Sequence, residues 1–297
     1  MIKIFLSVIL LMMLYAPIFA QSSTIHIIVS VLPQKNIVER IGGDFVKVEV
    51  LVPKGKSPEI YEPNITQMKT IQNTRIFFGV GMPFELKWHQ RFLNINPQLN
   101  YLNLAESALP LHEHDSHDHR HNPHVWLSLT QIENQITQIT RQLSVLDPSH
   151  KAIYESNQKQ FLQEIFTLKQ SIQNVFDTPN TQKKFLVYHP AFEYFAQEFG
   201  LEELSIEHDG KELKGADLSK LIQDIRLYEL KVIFIQPQFS KQRVQMLAKE
   251  LNMRIIELDP LQDLWLDSMQ TYTCQIAFSL SEKESQACIK QYFKAQQ

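Results

Sequence analysis

The stretch "DPSHKAIYESNQKQFLQEIFTLKQSIQNVFDTP", residues 147–179, decides how the rest of the chain is divided. Asp147 followed by Pro148 reads as an N-cap with proline at the first helical position, where the missing N–H costs nothing. Tyr154, Phe161, Ile165, Leu168, Ile172 and Val175 then recur at three- to four-residue spacing, until Asp177, Thr178 and Pro179 stop the pattern. One helix of roughly thirty residues is expected, ~43 Å long at 1.5 Å per residue. A helix of that length spans a whole molecule of this size, so it is a rigid connector and not a flexible hinge.

On both sides of it, short apolar runs alternate with helical stretches. Before it, Ile25 to Leu32, Val46 to Val52, Ile76 to Val80 and Tyr101 to Leu104 read as strands, with helices over Gln34 to Ile41, Ile65 to Gln72 and Phe84 to Leu93. After it, strands are expected at Phe185 to His189, Leu204 to Ile206, Val232 to Gln236 and Arg254 to Asp259, with helices at Asp217 to Leu230 and Lys241 to Leu251. Strict alternation argues for parallel sheets. The fold class is therefore α/β: two parallel-sheet lobes, residues 21–146 and 179–297, joined by one long backbone helix over 147–178.

The ends and the bulk numbers set the setting. Lys3, the apolar run from Ile4 to Tyr15 and the small Ala20 read as a secretion signal over residues 1–20, so the mature chain is expected to start near Gln21. The run is shorter than the ~20 apolar residues that span a bilayer. No cysteine follows it, so periplasmic localisation without a lipid anchor is expected. Losing Lys3 with the leader takes the net charge from −3 to −4, which gives no support for nucleic-acid binding or for adhesion to acidic membranes. The full sequence has 44% hydrophobic residues, enough to fill two cores. Cys274 and Cys288 are the only cysteines. Bridged, they close a loop of about 15 residues worth ~3 kcal/mol; two separately buried thiols are the alternative.

In open parallel sheets, ligands bind beyond the carboxyl ends of the strands. Four residues with metal-binding side chains lie there. Glu59 is in the loop leaving the second strand, and His124 lies in "NPHVWLS" just before a helix starting near Thr130, its backbone fixed by Asn122 and Pro123. His189 ends "KFLVYH", and Asp259 ends "RIIELD". Each lobe contributes two, so the site falls in the cleft between them. Two imidazoles and two carboxylates neutralise a divalent cation and fill four positions, which suits Zn(II) and is tolerated by Mn(II).

The segment "HEHDSHDHRH", residues 112–121, carries His112, His114, His117, His119 and His121 with no apolar residue among them. It cannot join a packed core and reads as a loop inserted in the first lobe. Its "HEHDSH" is one residue away from a His-x-His-x-Asp-His hydrolase signature, with Ser116 where that motif has Asp, and no His-Glu-x-x-His occurs. A secreted zinc hydrolase is thus the weaker alternative, since catalytic zinc needs an open position and four ligands close it. A histidine-rich metal buffer or a surface adhesin is the third.

Four segments carry a resemblance to a known family. "LVPKGKSPEIYEP" (51–63), "NPHVWLS" (122–128), "VYHPAFEYFAQEFGL" (187–201) and "IIELDPL" (255–261) are together similar to the motifs of the metal-binding proteins of bacterial zinc and manganese ABC importers, most closely their zinc-uptake members. The resemblance spans essentially the mature chain, and the second and third segments are the most specific. It implies two α/β lobes on a single long helix with metal in the cleft, no enzymatic activity, and metal ligands at His124, His189 and Asp259. The family's first ligand, normally histidine, falls on Glu59, for which direct binding is expected. The histidine run resembles the loop of zinc-specific members, where imidazoles would capture Zn(II) weakly and release it below a pH of about 6.5. Zn(II) is the implied cargo, since manganese members tend to carry a carboxylate at the position of His189, with Mn(II) the alternative. The implied partners are a membrane permease and its cytoplasmic ATPase, and a monomer is expected.

Overall fold

The computed structural model describes residues 24–106, 122–177, 183–208, 210–281 and 288. The leader over 1–20 and the histidines from His112 to His121 lie outside these residues.

The first lobe is built on a parallel sheet ordered β2-β1-β3-β4, from β1 (Ile25–Val29), β2 (Val46–Val50), β3 (Ile76–Gly79) and β4 (Asn100–Asn103). The second lobe repeats the plan as β10-β9-β5-β6, from β5 (Lys184–Val187), β6 (Glu202–Ser205), β9 (Val232–Ile235) and β10 (Arg254–Glu257). The central strands β3 ("IFFG") and β9 ("VIFI") are buried at every position, as both-faced burial in a parallel sheet demands. Edge strands β4 ("NYLN") and β6 ("EELS") are polar and partly exposed. A small antiparallel pair, β7 (Glu207–His208) with β8 (Lys211–Glu212), hangs on the second lobe.

Helices α1 (Leu32–Gly42), α2 (Ile65–Ile71) and α3 (Pro83–Ile95) serve the first sheet, and α4 (Leu129–Leu146) leads into the connector α5 (Lys151–Phe176). In the second lobe lie α6 (Glu193–Glu198), α7 (Gly215–Leu227), α8 (Gln242–Glu250) and α9 (Trp265–Ser281). Among the described residues no helix is long and apolar enough to cross a membrane.

The connector is α-helical over 26 residues, ~39 Å, and its first turn is instead a 3₁₀ turn, Pro148–His150. Asp147 is the reason: its carboxylate accepts from the His150 ring and from the Tyr154 hydroxyl, while Phe45 stacks on His150 at 3.7 Å between ring centroids, which tightens the turn. The buried stripe runs Tyr154, Phe161, Ile165, Leu168, Ile172 and Phe176, so Phe176 takes the inward place expected of Val175.

Two separate lobe cores do not form. One apolar cluster runs from β1 and β3 through α4 and α5 to Phe185, Phe192 and Trp265, and a smaller second cluster lies behind the other face of the second sheet. The physical cause is that α5 packs against α1, α4 and α9, which belong to both lobes. Phe161 meets Trp265 edge to face at 6.0 Å. The Trp265 indole N–H donates to the Trp126 carbonyl (2.7 Å), and the Trp126 indole N–H to the Pro260 carbonyl (2.9 Å), so two buried tryptophans bridge the lobes.

Polar ties reinforce this. Glu198 of α6, with a side chain 9% exposed, accepts from the Ser128 hydroxyl (2.7 Å), the Leu129 amide (3.0 Å) and the Thr130 hydroxyl (2.7 Å) at the start of α4, and pairs with Lys169 of α5 at 2.7 Å. A carboxylate from one lobe thus caps a helix of the other, at the positive end of its dipole. Glu198→Ala is expected to cost about 2 kcal/mol, mainly through the lost cap on α4 and its buried donors. That lowers the melting temperature by roughly 5 °C, measurable by thermal denaturation, with Glu198→Gln milder.

Cys274 and Cys288 are joined as a disulfide, fastening residue 288 to α9.

Candidate metal site

Glu59 sits in a 3₁₀ turn, Pro58–Ile60, on the loop leaving β2. That loop is held from below by Gln67 of α2, whose amide donates to the Leu51 carbonyl and accepts from the Tyr61 hydroxyl (2.6 Å), while Tyr61 packs edge-on against Phe84. Gln67 also closes a capping box with Asn64. Beyond the ends of the paired strands β1 and β3 in the same lobe Glu85 is buried, its carboxylate accepting from Ser30, Tyr101 and the Val80 and Gly81 amides. Burial pushes its pKa up against those hydrogen bonds.

His124 lies in the turn before α4 and is 5% exposed. Asn122 Oδ1 accepts from both the His124 backbone amide (3.0 Å) and the ring Nδ1 (2.7 Å). An amide oxygen only accepts, so Nδ1 carries the proton and Nε2 is bare. The Asn122 amide in turn reaches Glu193 at 3.0 Å.

His189 is expected at the end of a strand, but β5 stops at Val187. Gln236 takes over from the sheet, donating to the His189 carbonyl (2.7 Å) and accepting its amide (3.3 Å), and this turns the imidazole out of the sheet into the cleft. On its Nδ1 side Glu207 stands at 2.7 Å, 2% exposed, its other oxygen accepting the Gly210 amide. That places the Nδ1 proton on the Glu207 side and directs Nε2 into the cleft.

The result is a convergence of three groups from both lobes. His189 Nε2 lies 3.4 Å from His124 Nε2 and 3.0 Å from Glu59 Oε1, and one ligand atom from each residue falls within 4.8 Å of the others. Among the described residues this is the one such group of metal-binding side chains. Trp126 packs edge-on to His124, Phe239 lies beside His189, and both line the same pocket.

The electrostatics follow from the packing. Burial, aided by the neighbouring His189 charge, holds the His124 pKa well below the usual imidazole range, so this ring is neutral. Burial also opposes charge on His189, but hydrogen bonds and attraction to Glu207 and Glu59 win and push it up to about 9. Glu207 is itself lowered: burial works against ionisation, and the hydrogen bond and charge of His189, with the Gly210 amide, together outweigh it. Two imidazole nitrogens facing each other at 3.4 Å with a carboxylate at 3.0 Å need a cation among them, a proton or a metal.

Asp259 stands on the second-lobe wall, outside that group of three. Its Oδ1 accepts from Gln238 (3.1 Å) and the Leu261 amide (3.1 Å), and its carbonyl accepts from the Tyr272 hydroxyl. The adjacent Pro260 and Leu261 line the pocket. Sequence reading missed Glu207, Gln236 and Gln238. The one signal near Glu207 is the Asp-Gly pair at 209–210, which can turn the chain, but nothing local pairs that residue with His189.

The arrangement has close counterparts among known proteins. A crystal structure described as ZnuA superposes with a TM-score of 0.80 at 32% identity, covering 86% of this chain and 99% of that one. Two lobes on a rigid helix with imidazoles and a carboxylate meeting between them mark a metal-binding receptor of the ABC-importer class. The family model "Zinc-uptake complex component A periplasmic" (ZnuA) matches residues 27–277, and the chain belongs to that family of extracytoplasmic substrate-binding transport proteins, which are not enzymes. The high-affinity zinc uptake system protein ZnuA of Bacillus subtilis is 26% identical over 265 residues, 82% of this chain and 81% of the relative. The manganese-binding lipoprotein MntA of Halalkalibacterium halodurans is 25% identical over 211 residues, 69% of each. Relatives of both metal types therefore stand at similar distance.

Proposed function

We propose that this chain captures Zn(II) in the periplasm and delivers it to the permease and ATPase of a zinc importer. Glu59, His124 and His189 hold the ion, and Asp259 on the wall is the fourth ligand held in reserve, able to take the place of a water. The observation that carries the reading is the facing pair of Nε2 atoms at 3.4 Å, each presented by an acceptor on its own Nδ1. A site with two imidazole nitrogens as donors suits zinc, whereas manganese favours carboxylate and water oxygens. The manganese reading draws on Glu59, which adds an oxygen where the family resemblance expects nitrogen, and on the manganese-binding relative. His112, His114, His117, His119 and His121 serve as an auxiliary loop that binds zinc weakly and exchangeably.

Competition calorimetry on protein lacking residues 112–121 tests the assignment. One tight Zn(II) site surviving the deletion, with Mn(II) weaker by at least about a hundredfold, is expected from the donor set. Tighter Mn(II) would overturn the choice of metal, and loss of all tight binding with the loop would overturn the cleft site.

A further inference from the structure

The tether on Asp259 goes beyond the ligand set. We propose that Gln238 sets the metal preference of this site by holding the Asp259 carboxylate on the second-lobe wall, so that the shell offered first is two nitrogens and one carboxylate. The inference rests on the metal-binding reading above and deepens it.

The geometry is specific to this corner of the cleft. Gln238 follows β9 by three residues, in "QPQF", where Gln236 is already committed to the backbone of His189. Its amide nitrogen donates to Asp259 Oδ1 at 3.1 Å, and the Leu261 amide donates to the same oxygen at 3.1 Å. The backbone on either side of the carboxylate is fixed too, by the Leu258 amide to the Ile235 carbonyl (3.0 Å) and by Tyr272 on the Asp259 carbonyl. Main-chain movement therefore cannot bring the carboxylate to the metal cheaply; the side chain must give up donors to turn. Gln238 also lines the pocket, so it is placed to be displaced by what binds there. Bringing Asp259 in costs a hydrogen bond to a charged acceptor, equivalent to about a tenfold loss in affinity for any ion that needs it. Zn(II) is satisfied by the Glu59, His124 and His189 trio with a water, and loses little by waiting. Mn(II) prefers more oxygen ligands and bears the full cost.

Gln238→Ala and Gln238→Met, the second matching the original in length without a donor, are compared with wild type by chelator competition for Zn(II) and Mn(II) and by absorption of the Co(II)-loaded protein. Expected are a gain of about tenfold in Mn(II) affinity, a change under threefold for Zn(II), and weaker Co(II) d–d bands as the coordination number rises. Adding Asp259→Asn should cancel the Mn(II) gain. Equal shifts for both metals, or a Mn(II) gain that survives Asp259→Asn, would overturn the role of Gln238 while leaving the site intact. A wild-type protein that takes up neither metal would instead sink the metal-binding reading itself.

Discussion

His189→Ala, and separately His124→Ala, should abolish tight metal binding in the cleft, with affinity falling about a thousandfold. A four-ligand zinc site is worth on the order of 10–16 kcal/mol, so one ligand accounts for about 4 kcal/mol, or three powers of ten. The two imidazoles enter with opposite proton histories. Neutral His124 is ready to bind, whereas His189, pushed up to about 9, must first release its proton. The raised value means that protons compete with metal below pH 9. Zinc affinity should therefore climb about tenfold per unit from pH 7 towards 9 and level off above it, with about one proton released per zinc near neutrality. His189→Ala should remove both the tight site and this slope. Wild-type affinity retained in either variant, measured by chelator competition, would show that the ion sits elsewhere.

Glu207→Ala should weaken zinc by between tenfold and a hundredfold without removing a ligand. Outer carboxylates that orient a metal-bound histidine typically contribute that much, and here the carboxylate is almost fully buried and 2.7 Å from Nδ1. Glu207→Gln separates charge from orientation, because its amide oxygen can still accept the Nδ1 proton. It should keep affinity within about threefold at pH 9, yet shift the pH profile downward, since the lost carboxylate supported the imidazolium by hydrogen bond and charge. Identical profiles for Glu207→Gln and wild type would rule out that support.

Much of this architecture is legible from residue pattern. "IFFG" and "VIFI" are apolar throughout because both faces of a central parallel strand are covered, and the stripe on α5 follows helical spacing closely enough to place the connector. Three of the four expected ligands converge as the strand-end argument requires. Departures arise where side chains override local pattern. Asp147 reads as a simple cap, but it also serves His150 and Tyr154 and tightens the first turn. His189 reads as strand because Tyr188 still bonds to Phe234, while Gln236, 47 residues away, ends the ladder. Glu207 in a polar hairpin resembles any solvated acid until β5 and β6 lie side by side and set it beneath the imidazole. Asp259 reads as the end of a strand, but β10 stops at Glu257, two residues short of it, and whether it reaches the ion depends on a glutamine that no spacing rule connects to it.

The apolar cluster that passes unbroken from one sheet to the other has a mechanical consequence. Halves that share their interior cannot swing apart without exposing Trp126 and Trp265, so the molecule should melt as a single cooperative unit, and wide jaw-like opening is disfavoured. Cargo must leave through small local yielding instead, and the turn bearing Glu59 is the element best placed to yield, since it rests on Gln67 and Tyr61 at the margin of that shared interior. A transporter that unloads this receptor needs only to unfasten one clasp; it does not have to pry open a hinge.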